Sequence, residues 1–341
     1  MENMFNNRRI SRFIFINILV ITFYISIMFI DRGFIMLDTN LSVKNVSKYF
    51  KNNIKANNNI SIEFQTHEIT ALIGHNGAGK TTLLNQIGGL IIPSEGQIHI
   101  NNIDVIKEHS KVRKLVSTMP QFQVPLKGVS MLQAIESIAM IKGFSSKVSK
   151  KKAEEIISSL QLDNWKNIEG EKLSGGLQRL TSFAMTVIDE APVIILDEPT
   201  NDVDPIRRIL MWKYLRKLAD KGSIIIIVTH NLFEVEKYAD RYILLDKGCV
   251  KKDINISNRY SQNIKHMLCV YDIDNIDISM FSSDFVTKYD IEQKKLTVSL
   301  KEENIYRAIT IVLEVLKNGK ATSYDLKIEN LYDNYEDMIN E

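Results

Sequence analysis

The sequence predicts an α/β fold, with a mixed sheet core, a helical subdomain inserted into it and a small α+β unit behind it. Three observations carry that expectation. The run Ile69 to Ile73 leads into Gly74 to Thr81, which reads G-x-x-x-x-G-K-T, and a helical pattern of Leu83, Leu84 and Ile87 follows. Two more β-branched runs, Val193 to Leu196 and SIIIIVTH ending at His230, are apolar without alternation, as strands buried on both faces are. Past Lys252 the pattern changes to short strands grouped around one amphipathic helix.

Composition narrows the class further. A length of 341 residues suits two domains and an appendage, and 45% apolar with 25% charged residues excludes a disordered or fibrous chain. The formal charge of +2 is supplied wholly by the first 35 residues, where Arg8, Arg9, Arg12 and Arg32 stand against Glu2 and Asp31. The remainder is neutral, so the basic excess that a nucleic-acid partner requires is missing and no nucleic acid is expected. Cys249 and Cys269 form no Cys-x-x-Cys, and the six histidines show no ligand spacing, so neither a disulfide framework nor a zinc site is read.

Residues 1–35 form a segment of their own. Phe13 to Ile30 is uncharged over 18 residues, the lower edge for a spanning helix. Three readings compete: an anchor or re-entrant segment, a signal peptide, and an extension ahead of a true start at Met36. No small-residue cleavage site follows, against the signal peptide. The arginines would hold the amino terminus inside the cell and put everything after one crossing outside, so a start at Met36 is the expectation.

The main domain is expected over residues 36–255. Leu41 to Val46 reads as a strand, and Ile60, Ile62 and Phe64 alternate with polar neighbours in the period of a second. In the loop that follows, Gly74, Gly77 and Gly79 let the backbone turn tightly and aim its amides at a phosphate, with His75, Asn76 and Ala78 completing the turn. The helix beginning there adds its positive dipole end. Lys80 offers a charge to the β and γ oxygens, Thr81 a hydroxyl to Mg²⁺, and Thr82 a further phosphate contact. Asp197, ending a buried strand, sits where a metal-bound phosphate needs a carboxylate, and Glu198 is placed to deprotonate the attacking water.

Between these, residues of about 122–173 read as the helical subdomain, with helices Met131 to Lys142 and Val148 to Leu160 separated by GFSS. The run KVSKKK is a solvated helix face. Leu173 to Gly176 reads LSGG and opens a helix carrying Leu180, Phe183, Ala184 and Val187, so Ser174 and the amides of Gly175 and Gly176 form a second anion site. One nucleotide needs one such loop. The second therefore suggests two chains closing face to face, each capping the ATP that the other holds.

Pro205 opens a helix over Ile206 to Ala219, Asn231 caps Leu232 to Ala239, and Tyr242 to Leu245 with Val250 make a hairpin through Asp246, Lys247 and Gly248. Asp253 to Asn263 reads as a polar linker. In residues 256–341, strands are expected at His266 to Tyr271, Asp284 to Tyr289, Leu296 to Leu300 and Ser323 to Ile328. Ile305, Ala308, Ile309, Val312, Leu313 and Leu316 mark a helix, which makes the unit a small α+β sandwich.

Over about Leu41 to Lys252 the chain resembles the nucleotide-binding subunit of ATP-binding cassette (ABC) transporters, of the drug and antibiotic exporter type. Six motifs of that family stand in order: the loop at Gly74, Gln121 in STMPQFQ, LSGG, the pair Asp197 and Glu198, Asp204 in NDVDP, and His230. The resemblance implies a P-loop ABC-type nucleotide-binding domain that uses ATP and Mg²⁺. It implies that Gln121 senses the metal and leads to the subdomain touching a permease, that Asp204 is the D-loop aspartate, and that His230 contacts the γ-phosphate. Phe50, with Tyr49 as runner-up, sits where the family stacks an aromatic on adenine.

Leu177, where many members carry Gln, is a departure. The tail resembles the accessory domain of such exporters. The implied function is an ATPase that dimerises on ATP, as a homodimer or heterodimer, and powers a separate integral membrane permease exporting a drug, antibiotic or peptide. It would be peripheral at the cytoplasmic face of the cell membrane. The alternative is a non-transport ABC ATPase that regulates or scaffolds a membrane complex. Translation and DNA-repair cassettes usually carry two cassettes or a coiled-coil insertion, neither of which is present here.

Overall fold

The computed structural model of the chain describes residues 39–51, 54–121, 127–256, 265–273 and 285–328. The readings for residues 1–35, for 122–126 and for the linker beyond 256 lie outside them.

Leu41–Tyr49 (β1) and Lys55–Phe64 (β2) pair antiparallel, with Leu41 opposite Phe64 and Val46 opposite Ile60. Ile69–Ile73 (β3), Lys80–Ile87 (α1), Glu95–Ile100 (β4), Ile103–Asp104 (β5), His109–Leu115 (α2) and Val116–Met119 (β6) follow. The helical insertion supplies Met131–Ile141 (α3) and Ser146–Ser159 (α4). Ser130 and Gln133 form a reciprocal capping box at α3, and Ser145 caps α4, which starts that helix two residues ahead of Val148. Next come Gly175–Val187 (α5), Val193–Asp197 (β7), Pro205–Asp220 (α6), Ile224–Val228 (β8), Leu232–Tyr238 (α7), Arg241–Asp246 (β9) and Cys249–Asn255 (β10).

Two sheets share the work. One runs β2-β1-β4-β5, and the other runs β10-β9-β3-β8-β7-β6, in which β9, β3, β8, β7 and β6 are parallel and β10 is antiparallel. The unbroken Ile and Val runs are explained by what lies on each side. Ile225 and Ile227 face a cluster with α3, α4, α5 and α6, while Ile224, Ile226 and Val228 face a second cluster with α1 and the antiparallel sheet. Because the strands are parallel, the carboxyl ends of β3, β6, β7, β8 and β9 meet at one edge, the binding edge of open α/β sheets.

The expected linker starts later than read. Asp253, Ile254 and Asn255 belong to β10 and pair with β9, because Arg241 engages the Asp253 carboxylate with both Nε and Nη2 at 2.6 Å. The hairpin turn is as expected, with Lys247 at φ 45° and Gly248 at φ 76°. Elements β4 to β6 and α2 were not legible. β6 is only four residues long, too short for a period.

Lys265–Tyr271 (β11), Val286–Asp290 (β12), Lys295–Lys301 (β13), Ile305–Lys317 (α8) and Ser323–Ile328 (β14) make a separate antiparallel sheet in the order β12-β13-β11-β14. Among the described residues one helix covers one face of this sheet: Ala308, Val312 and Val315 of α8 bury against Leu268, Val270, Leu296 and Val298. Among the described residues no helix is long and apolar enough to cross a membrane.

Candidate functional site

The loop between β3 and α1 takes the shape its glycines permit. Gly74, Gly77 and Gly79 have φ of 149°, 85° and 99°, and a Cβ at Gly79 would lie 2.2 Å from the Ala56 carbonyl oxygen. Lys80 is buried, and its Nζ donates to the carbonyls of Gly74 at 2.7 Å and His75 at 3.0 Å, which closes the loop around the ammonium. His75 has both ring nitrogens beside oxygen acceptors, Asn76 O at 2.7 Å and Asp246 Oδ1 at 2.6 Å. Both contacts are hydrogen bonds only for the imidazolium, and the Asn76 carbonyl and Asp246 carboxylate hold the His75 pKa above its ordinary value.

From β7, Asp197 meets α1: the Thr81 hydroxyl donates to Asp197 Oδ2 at 2.9 Å across 116 residues of sequence. Glu198 follows at φ 51°, a strained left-handed conformation, with its amide on Val228 O and its carbonyl accepting from Arg179 Nη1 at 3.1 Å. His230 Nε2 lies 3.1 Å from Glu198 Oε1, yet neither carboxylate oxygen has a fully formed hydrogen bond.

Burial sets the electrostatics. It pushes the Glu198 carboxyl up to about 7, helped by the Asp197 charge and opposed by the His230 amide, Lys80 and Arg179. Asp197 is raised by burial against the Thr81 bond and Lys80, while burial lowers Lys80 against both carboxylates. Burial and the Lys80 charge lower His230. Asp197 and Glu198 thus sit together in this buried cluster with Lys80 and Arg179 as the facing cations. Its hard oxygen donors, Thr81 and Asp197, fit Mg²⁺, which takes one or two protein oxygens and completes its shell with water and phosphate.

A carboxyl raised in the folded state stabilises the fold while protonated, and that stability is lost as pH rises from the ordinary 4.5 through about 7. The ionised form costs up to about 3 kcal/mol. Glu198→Gln is therefore expected to melt a few degrees above the parent near pH 8, with the gap closing as pH falls below 4.5, a trend that calorimetry across pH checks.

At the Ser174 to Gly176 turn, Ser174 caps α5 by accepting from the Leu177 amide, and a Cβ built on Gly175 would meet open space, so the turn is open. Leu177 uses its side chain differently from a polar residue, packing on the core cluster around α5. Gly176 fits tightly against its own chain: a Cβ there would lie 2.4 Å from the Asp202 carbonyl oxygen. Gly176→Ala is expected to cost roughly 1–3 kcal/mol by urea titration. Beside this turn a cleft of about 250 Å³ is lined by Trp165, Asp204 and Arg207, among others. Asp204 caps α6 and pairs with Arg207 at 2.9 Å.

Lys80, Thr81, Asp197, Glu198 and His230 thus converge on one edge. Gln121 is exposed two residues past Met119, at the same edge because Met119 pairs with Leu196. Phe50 and Tyr49 are both exposed, with Lys48 over the Phe50 ring and Lys55 over the Tyr49 ring, so both remain open as adenine platforms. Sequence reasoning missed Arg179 and Asp246. Arg179 stands one helical turn beyond Gly176, a spacing that places it on the same face, whereas Asp246 reads only as a turn residue.

Residues 57–201 match the ABC transporter family. The chain carries an ABC transporter nucleotide-binding domain. This ABC ATPase domain is similar to the ATP-binding cassette MJ0796 in a dimeric post-hydrolysis state with ADP and Pi, at 27% identity over 63% of this chain and 98% of that one, TM-score 0.58. It is also similar to cbiO1 from Clostridium perfringens, part of the transporter complex cbiONQ, at 27% identity over 66% and 92%, TM-score 0.57. Among curated relatives, the ABC domain is 34% identical to the retinal-specific phospholipid-transporting ATPase ABCA4 of Homo sapiens over 60% of this chain and 9% of that protein. ATP-binding cassette sub-family A member 6 of Homo sapiens is 27% identical over 85% of this chain and 19% of its own length. The chain spans less than a fifth of these curated relatives.

Proposed function

We propose that the chain is an ATP-hydrolysing subunit that dimerises on ATP and powers export through a separate membrane permease, from the cytoplasmic face of the membrane. The observation that carries this reading is the convergence at Asp197, where the Thr81 hydroxyl, 116 residues away, meets it beside buried Lys80 and Glu198. Residues 36–255 form the ATPase domain, 122–173 its permease-docking subdomain, and 256–341 an accessory domain.

Lys80 turns from the loop carbonyls to the β and γ oxygens, and the amides of Gly77 and Gly79, with Thr82, cradle the phosphates. Thr81, Asp197 and Gln121 would hold Mg²⁺, which when bound would supply neutralisation of phosphate charge. Glu198 takes the proton of the attacking water, a task for which a pKa near 7 suits it, and His230 contacts the γ-phosphate. Phe50 stacks on adenine, and the Ser174 to Gly176 turn of a second copy caps the nucleotide, with Asp204 at the seam. The products are ADP and phosphate.

The similarity to the dimeric MJ0796 cassette and to the retinal-specific phospholipid-transporting ATPase supports a paired, transport-linked engine. Reconstitution tests it: the chain with its co-purified membrane partner in vesicles is expected to drive ATP-dependent solute movement. A chain that binds its membrane partner and hydrolyses ATP without moving solute would favour the regulator reading instead.

A further inference from the structure

We propose that Glu234 is a positioning residue for hydrolysis: its buried carboxylate pins Thr200 and so holds the backbone of Glu198 opposite His230. The inference rests on the reading of Glu198 as the base. Glu234 sits on α7, one turn past the Asn231 cap whose Oδ1 accepts the Glu234 amide at 3.2 Å. Its side chain is only 11% exposed. One oxygen, Oε2, accepts from the Thr200 hydroxyl at 3.0 Å and from the Trp212 indole at 3.0 Å, while Oε1 lies 3.7 Å from Arg208 Nη1. Thr200 and Trp212 are themselves buried at 3% and 1% exposure.

Three segments therefore end on a single carboxylate: the turn that leaves β7, helix α6, and the helix that follows His230. Packing alone does not call for this. A buried carboxylate is costly to desolvate, and an apolar side chain of similar volume would fill the space as well. Trp212 already stacks on Tyr238 at 5.3 Å and 17°, which docks α7 on α6 without any help from Glu234. What the carboxylate adds is a fixed place for Thr200.

Thr200 matters because Glu198, two residues earlier, is strained at φ 51°, and such a conformation persists only where its surroundings over-determine it. The Val228 carbonyl and Arg179 hold Glu198 itself, and Glu234 holds the chain just beyond it. Arg208 extends the same clamp by donating from Nε to the Val203 carbonyl at 2.6 Å, next to Asp204. The clamp thus spans the stretch from the base to the D-loop aspartate, and the residue after His230 is the cap of the helix that carries it.

The test uses the full chain with Trp165→Phe, which leaves Trp212 as the single indole. Glu234→Met, Glu234→Leu and Thr200→Val are each expected to lower kcat for ATP by roughly 10- to 100-fold while KM stays within about threefold, since misplacement of a reacting group costs rate rather than binding. Both Glu234 variants should shift Trp212 emission, Thr200→Ser should keep the parent kcat, and Glu234→Leu with Thr200→Val should be no worse than either alone. Full kcat in both Glu234 variants with only a lower Tm, or additive losses in the double variant, would overturn the proposal. Should Glu234→Leu fail to fold, Glu234→Met and Thr200→Val decide it. Glu198→Gln separates the two readings: if it still turns over, the base assignment fails, and if it is dead while the Glu234 variants are fully active, only the clamp fails.

Discussion

Glu198→Gln is expected to lower ATP turnover on the order of 10³-fold while leaving ATP affinity within a few fold of the parent. General-base removal accounts for a loss of that size. Gln keeps the shape of a side chain that is 2% exposed, and Lys80, Thr81 and Asp197 are untouched by the change. With hydrolysis blocked, the closed two-chain state should accumulate in the presence of ATP and magnesium, read as a doubled mass by sedimentation. The substitution also removes a buried carboxylate beside Asp197, so lost turnover is expected together with a Tm at or above that of the parent near pH 8, which separates lost chemistry from misfolding. Normal turnover would remove Glu198 from its role, and a mass that stays monomeric at every concentration would remove the paired arrangement.

Lys80→Ala should act at the earlier step. Lys80 is 7% exposed and its ammonium makes two charge-assisted bonds to loop carbonyls, which on the proposed function are exchanged for bonds to phosphate oxygens. Two such bonds at about 1.5–3 kcal/mol each correspond to a loss of roughly 10²- to 10⁴-fold in ATP affinity. The same truncation strips an ammonium that faces Asp197 and Glu198, leaving less positive charge to offset the repulsion between these carboxylates and the incoming phosphates. Isothermal titration with ATP and magnesium measures it. Affinity within threefold of the parent would refute the phosphate-loop reading of Gly74 to Thr81.

Much of the architecture was visible before any coordinates because its causes are local. The glycines at 74, 77 and 79 are needed where φ is positive, and they announce that need in one short stretch. The cap at Asn231 follows from a side chain and the amide three residues on, so it too is written in neighbouring positions. Strands such as β8, buried on both faces, betray themselves by apolar runs. Short or interrupted elements did not: β6 has four residues and β5 has two, too few to set a period. The end of β10 was misplaced because the polarity of Asp253 and Asn255 looked like a linker, whereas Arg241 on the neighbouring strand balances Asp253.

The amino-acid order by itself determined which residues could bind a triphosphate and which family's motifs they form, since backbone freedom, capping and periodicity act over a few positions. Only the tertiary structure decided how those residues behave once together: that burial pushes the Glu198 carboxyl up to about 7, that His230 stands 3.1 Å from it, that the Asn76 carbonyl and the Asp246 carboxylate raise the His75 pKa, and that Glu234 gathers three segments. Each of these depends on burial and on partners that the parallel sheet brings in from distant parts of the chain. Desolvation and charge pairing are properties of the packed edge, and no local pattern in the chain encodes them.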